Sequence, residues 1–491
     1  MKPGAASKLS RVDVLLVALF VGLFVFFTGA LCLDRYWSFQ QPLGLDNAYF
    51  FQRVWQASFL EEPARTLLNT ETGHGLVSGR HFEPILLLGV PFVGQWPRME
   101  TLLLFQVVLL SLGGVAAYVL SREITGDRLT ACCLMGAWLC QPGLWNMAVT
   151  DFRTMSLAAP FVAICWWALF SGRWRIGLLS GALAMGCREE VLWLMAPSLV
   201  FWVLHGRYSG KRLAVWSFSA LVVVYAGVIF VFHGEASNFF DLGELPGAAL
   251  SAVNDVNWSA PIDESTSGGA LAQLQAALGS GFWLLVVAPL ASVPVAVTWL
   301  GKASNPEVAG PWAYHLWAVA LGTMALVLPK AMARLGAWVG EVRGPGWSVR
   351  SIRAFSGALF VLQLQAISAQ QNLSVSQALE TWAGDTRPST RVSTAWSVIR
   401  RVPVGEAVLT ESLYVAQLAD RRWIYSVDDF HARESQDQVL SAIEWVLVRK
   451  THEWTEAIEA AGFSPYADGG RARLYKRDGA PGARLNPIMP Y

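Results

Sequence analysis

The dominant pattern along the chain is a succession of long apolar runs separated by short charged stretches. Val14–Leu33 carries no charge and, at about 20 residues, is long enough to cross a hydrocarbon core as a helix. Leu102–Leu120, Leu129–Val149, Leu157–Phe170, Leu213–Phe232 and Trp312–Leu328 are further runs of this kind. The first run follows the basic residues Lys2, Lys8 and Arg11, but Leu33-Asp34-Arg35 does not read as a small-residue cleavage site, so it is expected to be a retained helix.

Lys and Arg set the expected orientation, because they accumulate on the cytoplasmic side. The basic N-terminus is placed in the cytoplasm, and residues 34–99 become a long outer loop. Arg122 and Arg128 mark an inner turn, Asp151-Phe152-Arg153 an outer one, and Arg173-Trp174-Arg175 the next inner one. Ile176–Leu204 lies between two basic clusters and holds one polar point, Arg188-Glu189-Glu190. Two short helices with that triplet at their outer turn satisfy the charge rule. A single tilted helix would place three ionisable groups near mid-bilayer, which is costly. Residues 233–269 form a second outer loop, and Leu271–Leu300, interrupted by Pro289 and Pro294, reads as another short hairpin. Lys330, Arg334, Arg343, Arg350 and Arg353 then fall in a cytoplasmic loop before Ala354–Ala369 exits. The sum is about eleven transmembrane helices.

The pattern changes at Gln370. Val408–Thr410, Trp423–Tyr425 and Trp445–Val448 are short β-type runs, whereas Ser412–Leu418 and Trp454–Ala461 read as helices. Alternation of this kind predicts a small soluble α/β domain. The expected division is therefore 1–369, an α-helical polytopic membrane domain, and 370–491, an extracytoplasmic α/β domain.

Composition agrees with the membrane reading. Of 491 residues, 54% are hydrophobic and 15% charged, against about 45–50% and about 25% in soluble proteins. The 23 tryptophans suit the two membrane–water interfaces. A net charge of +1 without a basic stripe gives no indication of nucleic-acid binding. All six cysteines (Cys32, Cys132, Cys133, Cys140, Cys165 and Cys187) fall in or beside apolar runs, so neither a disulfide framework nor a zinc site is indicated. The C-terminal part carries no Walker loop, dinucleotide fingerprint or zinc motif.

Candidate chemistry concentrates on the expected outer face. Leu45-Asp46-Asn47 through Gln52-Arg53-Val54-Trp55 reads as an amphipathic interfacial helix with a carboxylate at its start. Asp46 there is either a functional carboxylate or a helix cap. Gly79-Arg80-His81-Phe82-Glu83-Pro84-Ile85, Asp151-Phe152-Arg153, Arg188-Glu189-Glu190 and Tyr314-His315 bring further ionisable groups to the same side. Ionisable groups at membrane depth are functional candidates by default.

In order and spacing these segments resemble the prokaryotic membrane proteins of domain-of-unknown-function family 2079, which look like members of the GT-C glycosyltransferase superfamily. The family's Gly-Asp-His-Phe-Ser-Pro-Ile-like stretch corresponds to Gly79–Ile85, with Arg80 in place of the acid. Its Phe-Asp-Phe-His-Pro-Glu-like turn corresponds to Thr150–Met155, with Arg153 and Met155 in place of His and Glu. Its Lys-Glu-Asp-like triplet corresponds to Arg188-Glu189-Glu190, and a His-Tyr-His-like helix start is reduced to Tyr314-His315.

The resemblance implies transfer of a hexose or pentose from a polyprenyl-phosphate carrier to a glycan, lipid or protein acceptor on the non-cytoplasmic face. Asp46, Asp151 and Glu189 are then the expected catalytic carboxylates, with Asp46 as general base. Arg80, His81, Glu83, Arg153, Arg188, Glu190 and His315 are the expected substrate-binding groups. Glu189 and Glu190 are also candidate ligands for Mg²⁺ or Mn²⁺, which favour oxygen donors. Two other classes fit the same residues. A transporter or flippase for a lipid-linked or anionic solute uses broken helices, but predicts an inverted repeat that is not visible. A non-catalytic membrane scaffold with an outer binding domain predicts that Asp46 and Glu189 are dispensable.

Overall fold

The computed structural model describes residues 9–40, 44–59, 83–188, 318–371, 374–383, 390–403, 406–421, 423–427 and 443–478, with the single positions 191, 195, 223 and 440. The expected hairpin at 271–300, the run Leu213–Phe232 apart from Val223, and the outer loop 233–269 lie outside them. The described elements are mostly helical, with a small C-terminal sheet. They begin with α1 (Arg11–Trp37), α2 (Gly44–Ser58), a 3-10 turn (Pro84–Leu88), α3 (Val90–Gln95), α4 (Met99–Thr125), α5 (Arg128–Leu139) and α6 (Pro142–Val149). After a second 3-10 turn (Thr154–Leu157) come α7 (Ala158–Phe170) and α8 (Trp174–Met185). Then follow α9 (Ala318–Arg343), α10 (Pro345–Gln371), α11 (Val375–Ala383) and α12 (Thr390–Ile399). Among the described residues, α1 and α4 are the two helices long and apolar enough to cross a membrane.

The chain forms two compact units. The first comprises residues 1–28, 107–147 and 154–373. Near the start of α1 the Asp13 carboxylate accepts from Tyr118 Oη (2.6 Å) and Arg128 Nε (2.8 Å), joining α1, α4 and α5. Gly113 lets α4 approach Trp138 of α5 so closely that a Cβ would meet the indole at 2.1 Å. The run Leu129–Val149 is two helices: α5 ends at Leu139, and Pro142 occupies the first position of α6, where its missing N–H costs nothing. At the other end of α8, Gly186 closes the helix just before Arg188.

The basic stretch 330–353, expected as a loop, is helical on both sides of a tight turn. Ala, Arg and Leu carry α9 past its apolar part to Arg343, and Gly344 (φ 97°) reverses the chain into Pro345 of α10. Asp127 caps α5 by accepting from the Thr130 N–H (2.9 Å) and takes two bonds from Arg353 of α10 (2.7 and 3.1 Å). The Arg353 guanidinium is the main reason that the Asp127 carboxyl titrates lower than usual, at about 2. A depressed carboxylate stabilises above its unfolded value of about 3.9 and loses that contribution as pH falls through the folded one. The thermal-stability margin of wild type over Asp127→Asn, which keeps the cap, is therefore expected at neutral pH and should vanish as the solution is acidified to about pH 2. A margin unchanged by acid would rule out the charge as its source.

The second unit comprises residues 29–106, 148–153 and 374–491. Its sheet contains β1 (Val408–Thr410), β2 (Ile424–Ser426), β3 (Trp445–Arg449), β4 (Phe463–Gly469) and β5 (Ala472–Arg477). A short helix, α13 (Ser412–Val415), and a 3-10 turn (Ala416–Leu418) follow β1, and α14 (Thr455–Ala460) precedes β4. The strand order is β2-β1-β3-β5-β4. The first three strands are parallel, and β5 and β4 are added antiparallel. β1 and β3 are short, almost wholly apolar runs, as strands covered on both faces must be. Leu409, Val446, Val448, Ile458, Phe463 and Tyr475 form the core. α12 packs on β4, where a Cβ on Gly469 would collide with the Thr394 carbonyl. The segment Ser412–Leu418 packs on α2.

Candidate functional site

The site is built on α2 and lies wholly within the second unit. Ala48, Phe51 and Val54 bury one face of the helix, with the polar residues Asn47, Gln52, Arg53 and Gln56 buried alongside them. Each of these polar groups needs a partner, because a buried donor or acceptor left unmade costs about 1–3 kcal/mol. Asn47 Nδ2 donates to Asp151 Oδ1 (3.0 Å), and Asn47 Oδ1 accepts the Phe152 N–H (2.6 Å). From α4, Gln106 Oε1 accepts the Arg153 N–H (2.9 Å), and Gln106 Nε2 donates to the Asp151 carbonyl (3.5 Å). Phe50 meets Phe152 edge-on with ring centroids 5.6 Å apart. Two buried amides from two helices thus hold residues 151–153 in one conformation.

That clamp aims Arg153 at Asp46. Their side chains form an ion pair, Nη2 to Oδ2, at 2.7 Å. Asp46 sits in the first turn of α2, where the helix dipole favours a negative charge. It is therefore bound to a group from another segment, 107 positions along the chain (153 minus 46), whatever it also does for its own helix. With side-chain exposures of 31% for Asp46 and 16% for Arg153, the pair is partly exposed, whereas Asn47, Gln106 and Asp151 behind it are buried.

Further along α2, Arg53 Nη1 pairs with Glu83 Oε2 at 2.6 Å, both almost fully buried, and the guanidinium lies 5.0 Å from the Tyr49 ring centroid. Gln52 Nε2 donates to the Arg421 carbonyl (3.2 Å). The Arg421 guanidinium, itself buried, donates to the carbonyls of Leu418 (2.6 Å), Pro403 and Glu406 (3.2 Å each). α2 is thus fixed beyond its first turn through Gln52 and Arg53.

Of the residues singled out in the sequence, Asp46, Asp151 and Arg153 are brought together. Glu83 is paired with Arg53, away from solvent. Arg188 is described and belongs to the first unit. Arg80, His81, Glu189, Glu190 and His315 lie outside the described residues. Among the described residues no group of three or more His, Cys, Asp or Glu side chains could hold a metal ion. The sequence reading missed Asn47, Arg53 and Gln106. Gln106 had a usable signal, since an amide inside the apolar run Leu102–Leu120 must find a partner.

No curated protein matches the chain. The family model for the predicted membrane proteins of domain-of-unknown-function family 2079 matches residues 35–462, most of the chain, including α2 and the whole Asp46–Arg153 clamp. The chain belongs to that family of predicted membrane proteins.

Proposed function

We propose that the protein is a GT-C-type glycosyltransferase of the plasma membrane. In this reading it has about eleven transmembrane helices and a cytoplasmic N-terminus. Residues 370–491 form its extracytoplasmic domain. The donor is a polyprenyl-phosphate-linked sugar, and the acceptor is a hydroxyl of a glycan, lipid or protein. The observation that supports this reading is the partly exposed Asp46–Arg153 pair standing on a buried, hydrogen-bonded frame.

The chemistry needs a base and a cation side by side. The donor phosphate competes with Asp46 for the Arg153 guanidinium, whose planar fork can give two hydrogen bonds to phosphate oxygens. Release of Asp46 leaves its carboxylate as proton acceptor. The acceptor oxygen attacks the anomeric carbon and passes its proton to Asp46. The bond from the anomeric carbon to the phosphate oxygen breaks, and its electrons leave with the polyprenyl phosphate beside Arg153. Asp151 holds the Arg153 segment through Asn47. If Glu189 and Glu190 bind Mg²⁺ or Mn²⁺, the ion would supply further positive charge for the leaving phosphate.

The test is mass spectrometry of polyprenyl-phosphate sugars and envelope glycoconjugates in wild type, a deletion strain, and the deletion complemented with Asp46→Asn. A lipid-linked sugar that accumulates in both mutants, with a glycan short by one residue, establishes the transferase and names the sugar. A wild-type profile restored by Asp46→Asn removes Asp46 as base and favours transport or a scaffold role.

A further inference from the structure

In the first unit, α9 and α10 form a hairpin that is longer than a bilayer span. The 26 residues of α9 give a helix of about 39 Å, against about 30 Å for a hydrocarbon core. Its apolar part is the start of the helix, through Leu328. The rest, with the first turns of α10, carries charge. The two helices touch along a seam of small residues. A Cβ on Gly336 would come within 2.4 Å of Ile352, and one on Gly340 within 3.1 Å of Ser348. The tip is therefore a closely packed pair of helices.

The exposed residues of that tip have an unusual make-up. Trp338 and Val342 of α9 are 62% and 63% exposed, and Trp347 and Val349 of α10 are 51% and 47% exposed. Arg334, Arg343 and Arg350 lie exposed among them, with Glu341 as the acid. Arg353, beside them, is bonded to Asp127. Water is a poor solvent for the tryptophans. A hydrocarbon core is a poor one for the arginines. The headgroup layer accepts both, since indoles are enriched there and arginine reaches phosphate while its stem stays apolar. Three arginines against one glutamate select a negative surface.

We infer that the α9–α10 tip is a docking surface for anionic phospholipid headgroups. It lies in the headgroup layer, with Trp338 and Trp347 as anchors and Arg343 and Arg350 on lipid phosphates. The inference is independent of the transferase reading and of Asp46.

The test uses the full-length protein in nanodiscs of phosphatidylcholine alone or with a third phosphatidylglycerol. Ala337→Cys and Val349→Cys report accessibility at the tip to a water-soluble maleimide, with the parent protein as background. Labelling is expected to be roughly tenfold slower in the phosphatidylglycerol discs, and high salt should remove the difference. Combining either reporter with Arg343→Gln and Arg350→Gln should also remove it. Two reporters guard against a variant that fails to fold. Equal rates in the two lipids overturn the inference, whether both are slow, as burial in a neutral bilayer would give, or both fast, as a tip reserved for a soluble protein would give. A difference that survives in the double Gln background overturns it as well.

Discussion

Asp46→Asn is expected to leave the protein folded and to slow sugar transfer by about 10²–10⁴-fold, the usual contribution of a positioned general base. Folding should be spared because partly exposed ion pairs contribute only about 0–1 kcal/mol, and the buried amides behind the pair remain intact. Arg153→Gln should act differently. It frees Asp46 but removes the phosphate partner, so donor KM rises more than kcat falls, and Arg153→Lys restores part of the loss. The measurement is initial rates with the purified protein and the lipid-linked sugar identified from the envelope analysis. If both single variants transfer sugar at wild-type rates while melting earlier, the pair is structural and the proposed mechanism is wrong.

The largest effect on stability is expected at Arg53 and Glu83. Both are buried and meet at 2.6 Å. Removing one charge from a buried pair costs about 3–5 kcal/mol, because the other stays behind uncompensated. Glu83→Gln should fall at the low end, since Arg53 keeps its contact with the Tyr49 ring and a hydrogen bond to Tyr49 Oη at 3.3 Å. Glu83→Leu should fall at the high end. The double variant Arg53→Met/Glu83→Leu should recover most of the loss, as apolar replacements of buried ion pairs commonly do. Denaturant titration in detergent measures all three. A double variant as unstable as Glu83→Leu would show that the pair is more than a charge match.

How far these features could be read from the sequence depends on how local their causes are. α2 was legible as an amphipathic helix over Leu45–Trp55, and the structure extends it only to Gly44–Ser58. β1, β2 and β3 were legible as short apolar runs, each placed within about one residue. The β4–β5 hairpin was not. Pro465 and Gly469 make β4 look like a loop, and it is tolerated as a strand because it lies at the sheet edge and is bulged between Pro465 and Ala467. The break in Leu129–Val149 was visible as Pro142 but hidden by the apolar pattern on either side. Asn47 was invisible for a different reason. Its partners lie 104 and 105 positions away, and nothing local distinguishes a buried asparagine from a surface one.

The way the second unit is assembled has a consequence for synthesis. α2 is backed by Ser412–Leu418, and Gln52 bonds a carbonyl 369 residues later. On a ribosome adding about 5–20 residues per second, α2 emerges tens of seconds before the segment that fixes its rear face. Contacts of such high order form late. Until then Gln52 lacks its Arg421 partner and the rear face of α2 stands uncovered, a form that membrane-protein quality control can recognise. A chain that stops after α10 would keep every residue of the Asp46–Arg153 pair and still lack the wall that holds α2 in place. Truncation and missense changes that remove this wall should therefore also abolish transfer, but by lowering the amount of folded protein, which Asp46→Asn leaves intact.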